Sequence, residues 1–401
     1  MVVHPGPSVP APPFRFSRLD MTRFLALVAA LAVTIPVQAQ APVQKSMHHD
    51  YRVVTVAEGF VNPWSIAFLP NGDMLVTERP GRLRIVRGGR LLEQPVEGVP
   101  AVRAQGQGGL LDVVPHPNFA QNRLLYLSYS KPVGVDSATT AVARGRFEND
   151  RLTQVEDIFV AETRGATGHF GSRLAFDGNG HLFITVGDRM APPSGELEAH
   201  PAQDLTNHNG TINRIHDDGR VPSDNPFVNR SGAKPEIYSY GHRNPQALLV
   251  DPGTGNVWAT EHGPQGGDEL NLIRAGMNYG WPVIGFGVNY RSGNAIHSGT
   301  HREGMQQPVH VWVPSIAVSG LTLYTGDRFP QWKGSIFAGG LAGEQLARFT
   351  VEGERAVLAE VLVRRQGRIR DVRQGPDGFI YLAIDHRQGE PTAIVRLEPV
   401  N

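Results

Sequence analysis

Six stretches of this 401-residue chain repeat one pattern: an apolar strand, a turn rich in Pro, Asp and Gly, then a second apolar strand. They begin at Ile66, Leu110, Leu174, Ala247, Leu321 and Val372, with turns such as Pro70-Asn71-Gly72-Asp73 and Gly375-Pro376-Asp377-Gly378. Spacings of about 45 to 75 residues suit one four-stranded unit plus loops of variable length. A unit of that size cannot bury its sheet faces alone. Six of them predict radial closure into an all-β fold, a six-bladed β-propeller of four-stranded antiparallel blades. Such closure protects sheet edges and gathers loops around a central channel. The 46 glycines and 31 prolines fit a turn-rich chain, and no helical periodicity persists.

The propeller is expected to occupy residues 51–401 as a single domain, preceded by a polar tail at 40–50. Further upstream, Met21-Thr22-Arg23 leads into an apolar run from Phe24 to Val37, and Val37-Gln38-Ala39 has the small-x-small form of a cleavage site. This predicts a secretory signal peptide over 21–39 and a periplasmic or secreted product. The apolar run, at about 14 residues, is too short to span a bilayer. Residues 1–20 read as an extension from a mis-assigned start, with Met21 the better initiator. Zero cysteines exclude disulfides, thiolate metal sites and a Cys nucleophile. A formal net charge of zero gives no bulk attraction to nucleic acid or anionic membrane, which leaves a small molecule as the expected partner.

Four constellations carry candidate chemistry. His169 precedes the first strand of a hairpin whose second strand ends before Asp188, so the two are expected at the same end of one sheet. An imidazole oriented by a carboxylate is a general base. Gly241-His242-Arg243-Asn244-Pro245-Gln246 sets Arg and Asn side by side, rigid donors for a planar, oxygen-rich anion. Glu261 to Leu272, a Gly-rich run holding Asp268 and Glu269, offers oxygen ligands of the kind calcium takes, without an EF-hand pattern. Arg368 and Arg370 at i and i+2 in a strand share a face, and Gln107 adds a loop amide before another blade. Each also has an ordinary reading, as a surface pair, a turn or a solvated loop.

Together and in this order, the motifs resemble the soluble pyrroloquinoline-quinone (PQQ) dependent sugar dehydrogenases, particularly the aldose sugar dehydrogenase branch, over roughly residues 51 to 399. The resemblance implies His169 as catalytic base and Asp188 as its supporting carboxylate. It implies Gln107, Arg243, Asn244, Tyr290, Arg368 and Arg370 around the quinone. Gly263 and Pro264 would hold a calcium through their carbonyls, and Glu269 and Tyr279 a second, structural calcium. The implied reaction oxidises an aldose at C1 to a lactone, passing electrons on to an acceptor the sequence does not name. One departure is Ala342, which stands where glucose-oxidising members carry a cofactor-contacting lysine; the chain has four lysines, none nearby. Two other readings are a calcium-dependent lactonase, which needs acids converging from several blades, and a non-catalytic envelope propeller that binds a protein or glycan. The loops 191–209 and 291–307, which would shape the sugar pocket, follow no readable pattern.

Overall fold

Every repeat seen in the sequence contributes the innermost strand of a blade. In the computed structural model, residues 41–163 and 167–400 are described, together with residues 1–4, 6, 9–11 and 13. The expected signal peptide lies outside the described residues. Blade one comprises Pro63–Phe68, Met74–Glu78, Arg82–Arg87 and Arg90–Leu91. Blade two comprises Leu110–Pro115, Leu124–Pro132, Ala138–Glu148 and Arg151–Val160. Blade three runs Leu174–Phe176, His181–Val186, Thr211–His216 and Ile237–Tyr240. Blade four runs Pro245–Val250, Val257–Glu261, Asp268–Ile273 and His310–Trp312. Blade five holds Val318–Leu323, Ile336–Gly340, Gln345–Glu352 and Arg355–Leu362.

Blade six closes the ring. Its first three strands are Arg368–Gln374, Ile380–Asp385 and Pro391–Pro399, and its fourth is Tyr51–Val61 from the other end of the propeller. That strand pairs antiparallel with Pro391–Pro399, Tyr51 opposite Pro399 and Val61 opposite Pro391. Its inward residues Tyr51 and Phe60 are fully buried. The ladder thus joins the first and last strands of the propeller.

The apolar core is a set of wedges between neighbouring blades. One joins Leu75 and Ile85 of blade one to Leu125 and Leu127 of blade two, and another joins Phe337 and Leu346 of blade five to Ile369 and Leu382 of blade six. Toward the axis, polar side chains take over. Hydroxyls on second strands donate to carbonyls in or just before the inner strand of the next blade: Ser128 to Ser172 at 2.5 Å, Thr185 to Pro245 at 3.2 Å, Thr260 to Ser319 at 2.9 Å. Asp112 and Asp371 accept the backbone N–H groups of Leu174 and Ile66, again across blade boundaries. Each such bond adds about 0.5–1.5 kcal/mol net and sets the rotation of one blade on the next. Blade order, and so the placing of every loop, follows from these contacts.

Candidate active site

Loops at one end of the propeller bring His169 and Asp188 together as the hairpin spacing predicts. His169 Nδ1 lies 2.5 Å from Asp188 Oδ1, and both side chains are buried. The backbone is built around this contact. His169 has φ 48°, in the left-handed region, and Gly187 passes so close that a Cβ there would lie 2.2 Å from the His169 carbonyl. Strain of this kind in a buried polar residue persists only where the surroundings over-determine it. Gln107 Oε1 accepts the N–H of His169 at 2.8 Å, and Asn244 Oδ1 accepts the N–H of Gly171 at 3.2 Å. These two amides therefore position the segment that carries His169.

Burial alone would raise the Asp188 carboxyl, but His169, Arg243 and His200 hold it below its ordinary value. Asp188 is ionised, so Nδ1 of His169 carries the hydrogen of the shared bond and Nε2 keeps its lone pair. Burial lowers the imidazole pKa; Asp188 pulls it back, while Arg243 and Arg189 push it down further, and the net direction is below 6.5. A neutral imidazole with an oriented tautomer can accept a proton. Beside it lies a recess of about 200 Å³ walled by Met190, Ala191, Pro193, Trp281, Tyr290 and Ile296. Ala191 and Pro193 come from one insertion and Ile296 from the other, so both unreadable loops shape this recess.

On the other side of the His169–Gly171 segment is a second cavity of about 370 Å³. Four arginines line it, Arg79, Arg368, Arg370 and Arg387, against a single acid, Asp385. Arg368 and Arg370 do face it together, although a bulge between Ile369 and Asp371 interrupts the simple alternation. Arg370 Nη1 donates to Gln246 Oε1 at 3.0 Å, and burial drags its pKa down to about 10, with Arg173, Arg79 and Arg368 adding to the fall and Asp385 opposing it. Ala342 lines the same wall. Beneath it Arg173 sits 4.0 Å from the Trp64 ring, paired with Asp371 at 2.9 Å.

Arg243 lines the recess beside His169 and ties it to the Gly263–Pro264 turn. Its Nη1 donates to the carbonyls of His262 at 3.1 Å and Gly263 at 2.8 Å, while Tyr290, largely exposed at the rim, reaches Gly263 O with its hydroxyl at 3.4 Å. The Pro264 carbonyl accepts from Ser315 at 3.2 Å. His262 forms part of the wall, and burial followed by Arg370 and Arg243 pushes its pKa down to about 3, so it is neutral. Behind it, Glu269 and Tyr279 line one small recess with Glu261. Glu269 stands directly opposite Glu261 in the ladder, and Asn271 Nδ2 donates to both, at 2.9 Å to Glu261 and 3.0 Å to Glu269. Burial first, then Glu261, pushes the Glu269 carboxyl well above its ordinary value. Like charges facing across a ladder are destabilising, and a cation between them would reverse the sign.

Sequence reasoning missed Trp64, Arg79, Glu261, His262, Trp281 and Arg387. A signal was present. In four blades the second strand ends in, or two residues before, an acid followed by a base: Glu78-Arg79, Asp188-Arg189, Glu261-His262 and Asp385-His386-Arg387. Aligning repeats by position, not by turn, would have brought all four to the same end.

Comparison with known proteins agrees with this fold. The sequence profile of the family described as glucose / sorbosone dehydrogenase matches residues 60–396. The aldose sugar dehydrogenase YliI of Escherichia coli K12 is 44% identical over 347 residues, 85% of this chain and 91% of that protein. The crystal structure of the soluble E. coli aldose sugar dehydrogenase in its apo-form superposes with a TM-score of 0.82 at 41% identity, covering 87% of this chain and all of that one. The PQQ-bound aldose sugar dehydrogenase of Streptomyces coelicolor gives a TM-score of 0.70 at 28% identity, covering 87% and 98%. This chain belongs to the glucose/sorbosone dehydrogenase family of oxidoreductases.

Proposed function

We propose that this protein oxidises aldose sugars at C1 to lactones, using PQQ and calcium, with His169 as the proton acceptor. The observation that carries the reading is a cavity with four arginines and one acid, separated by one short segment from a neutral, carboxylate-oriented imidazole. A tricarboxylate matches that excess of positive charge, and Arg368 and Arg370 would grip it with Arg243 and Asn244 at the near edge. Donor chemistry also fits calcium. The Gly263 and Pro264 carbonyls are hard oxygen ligands without charge, so the cofactor's own carboxylate would complete the shell. Glu269, with Glu261 and Tyr279, fits a second ion.

When bound, PQQ supplies a two-electron acceptor and calcium a Lewis acid that polarises it. The chain's residues do the rest. His169 Nε2 takes the proton of the anomeric hydroxyl as the hydride leaves C1. Asp188 stabilises the resulting imidazolium through Nδ1–H. Trp281, Tyr290 and Ile296 offer apolar faces for a sugar ring and limit water around it. A lactonase of the calcium type would need several acids converging on one ion, and the larger cavity has only Asp385. The Met21–Ala39 pattern supports export to the periplasm or beyond; among the described residues no helix is long and apolar enough to cross a membrane. Apo-protein given PQQ and calcium should reduce an artificial dye with aldoses. Hydrolysis of lactones by the metal-loaded protein, with no dye reduction, would reject the proposal.

A further inference from the structure

Trp281 belongs to the long connection between the third and fourth strands of blade four, and the proton transfer described above assigns it no part beyond the recess wall. Yet its indole Nε1 donates to Asp188 Oδ2 at 2.8 Å. The other carboxylate oxygen, Oδ1, meets His169 Nδ1 at 2.5 Å and the N–H of Met190 at 2.9 Å. The indole is itself held on several sides. Its ring is buried under the Arg243 guanidinium, 5.2 Å from the ring centre; the backbone N–H of Trp281 donates to Gly241 O at 2.8 Å, and the backbone carbonyl of Trp281 accepts from Gln203 Nε2 at 2.8 Å. Gln203 lies in the blade-three insertion, so the contact ties the two long loops together. A carboxylate anchored through one oxygen can still turn about its Cβ–Cγ bond. Anchoring the second oxygen defines its plane, and with it the direction from which the imidazole is held.

We propose that Trp281 is a positioning residue that acts through Asp188 to hold His169 with Nε2 open to the recess. This rests on the reading of His169 as proton acceptor. The charged or titratable groups facing His169 are Asp188, Arg243, Arg189 and His262, and those facing Asp188 are His169, Arg243 and His200. Trp281 adds an uncharged side-chain donor to Oδ2. Without its N–H the carboxylate becomes more basic and attracts an imidazolium more strongly, so His169 is protonated more easily.

Trp281→Phe keeps a ring beside Arg243 and removes the donor. With PQQ and calcium bound and glucose as substrate, kcat is expected to fall about 10- to 100-fold, with KM and PQQ affinity within about threefold of wild type. The acid limb of the rate profile should move to higher pH. In an Asp188→Asn background the same change should cost no more than about twofold, because the group it acts through is gone. Two measurements need no cofactor. Imidazole NMR of the apo-protein, with His169 assigned by its loss in His169→Gln, should show the same upward move in Trp281→Phe. In wild type, the Trp281 indole N–H should be protected from exchange and shift on Asp188→Asn, which decides the matter even if Trp281→Phe does not fold. Equal losses in both backgrounds, or a freely exchanging indole N–H indifferent to Asp188→Asn, would overturn the proposal. Should the loaded wild type fail to oxidise aldoses, the functional reading falls while the apo measurements still judge the brace.

Discussion

Arg370 is a cation waiting for an anion, and replacing it with Gln should help the empty protein while harming the loaded one. Burial draws its pKa from 12.5 to about 10, which at roughly 1.4 kcal/mol per pH unit corresponds to about 3 kcal/mol of unfavourable charging in the fold. The side chain keeps a wet face along the cavity, so screening reduces this to about 1–3 kcal/mol. For a base with a depressed folded-state pKa, that cost is present at every pH below about 10 and fades only between there and 12.5. Against it stands the bond to Gln246, at about 0.5–1.5 kcal/mol. The apo Arg370→Gln variant should therefore melt at the wild-type temperature or a few degrees above it, at about 2–4 °C per kcal/mol or less for a chain this size. Its affinity for PQQ should drop about 10- to 150-fold, the equivalent of one charge-assisted hydrogen bond of about 1.5–3 kcal/mol. Calorimetric melting of the apo-protein gives the first quantity. Quenching of tryptophan fluorescence by PQQ gives the second, because Trp64 lines the same cavity 5.9 Å from the Arg370 guanidinium. A variant that melts well below wild type and still binds PQQ normally would refute the reasoning.

Further outcomes follow from other parts of the site. His169→Gln should lower kcat about 10²- to 10⁴-fold while PQQ affinity stays within a few-fold, read by steady-state kinetics and the same fluorescence titration. Because the folded protein lowers the His169 pKa, kcat/KM should be lost on acidification through a midpoint below 6.5; a midpoint above 7 would contradict the burial argument. Glu269→Gln should abolish most of the melting-temperature gain that calcium gives the wild type, leaving the apo-protein no less stable, since a strained carboxylate pair is relieved. Phe60→Ala in the closing strand should cost about 3–5 kcal/mol by denaturant unfolding, with catalytic constants unchanged in the fraction that stays folded.

The blades were legible because turn chemistry repeats. Pro, Asp, Asn and Gly at the tips between inner strands carry the backbone's own requirements, and these do not depend on distant contacts. His169 and Asp188 were legible for a related reason: one hairpin joins them, so spacing is geometry. The closing role of Tyr51–Val61 was not legible, since nothing local says that its partner strand lies some 340 residues away. Arg368 and Arg370 were expected to share a face by alternation, and they share a cavity around a bulge that no residue type announced. Trp281 went unread because its contact with Asp188 exists only once blades three and four are side by side. Ala342 could be placed by likeness alone. The guanidinium groups of Arg79 and Arg387 that share its cavity come from two other blades, and only closure of the ring gathers them.

The account rests on a cavity that takes a tricarboxylate quinone beside a proton-accepting imidazole. Titrating the apo-protein with PQQ in the presence of calcium, then adding an aldose under anaerobic conditions, tests this in one cuvette. Saturable, stoichiometric binding followed by loss of the oxidised quinone's absorption in wild type, with binding but no bleaching in His169→Gln, is the predicted result. Absence of binding, or bleaching that is equally fast in His169→Gln, would contradict it.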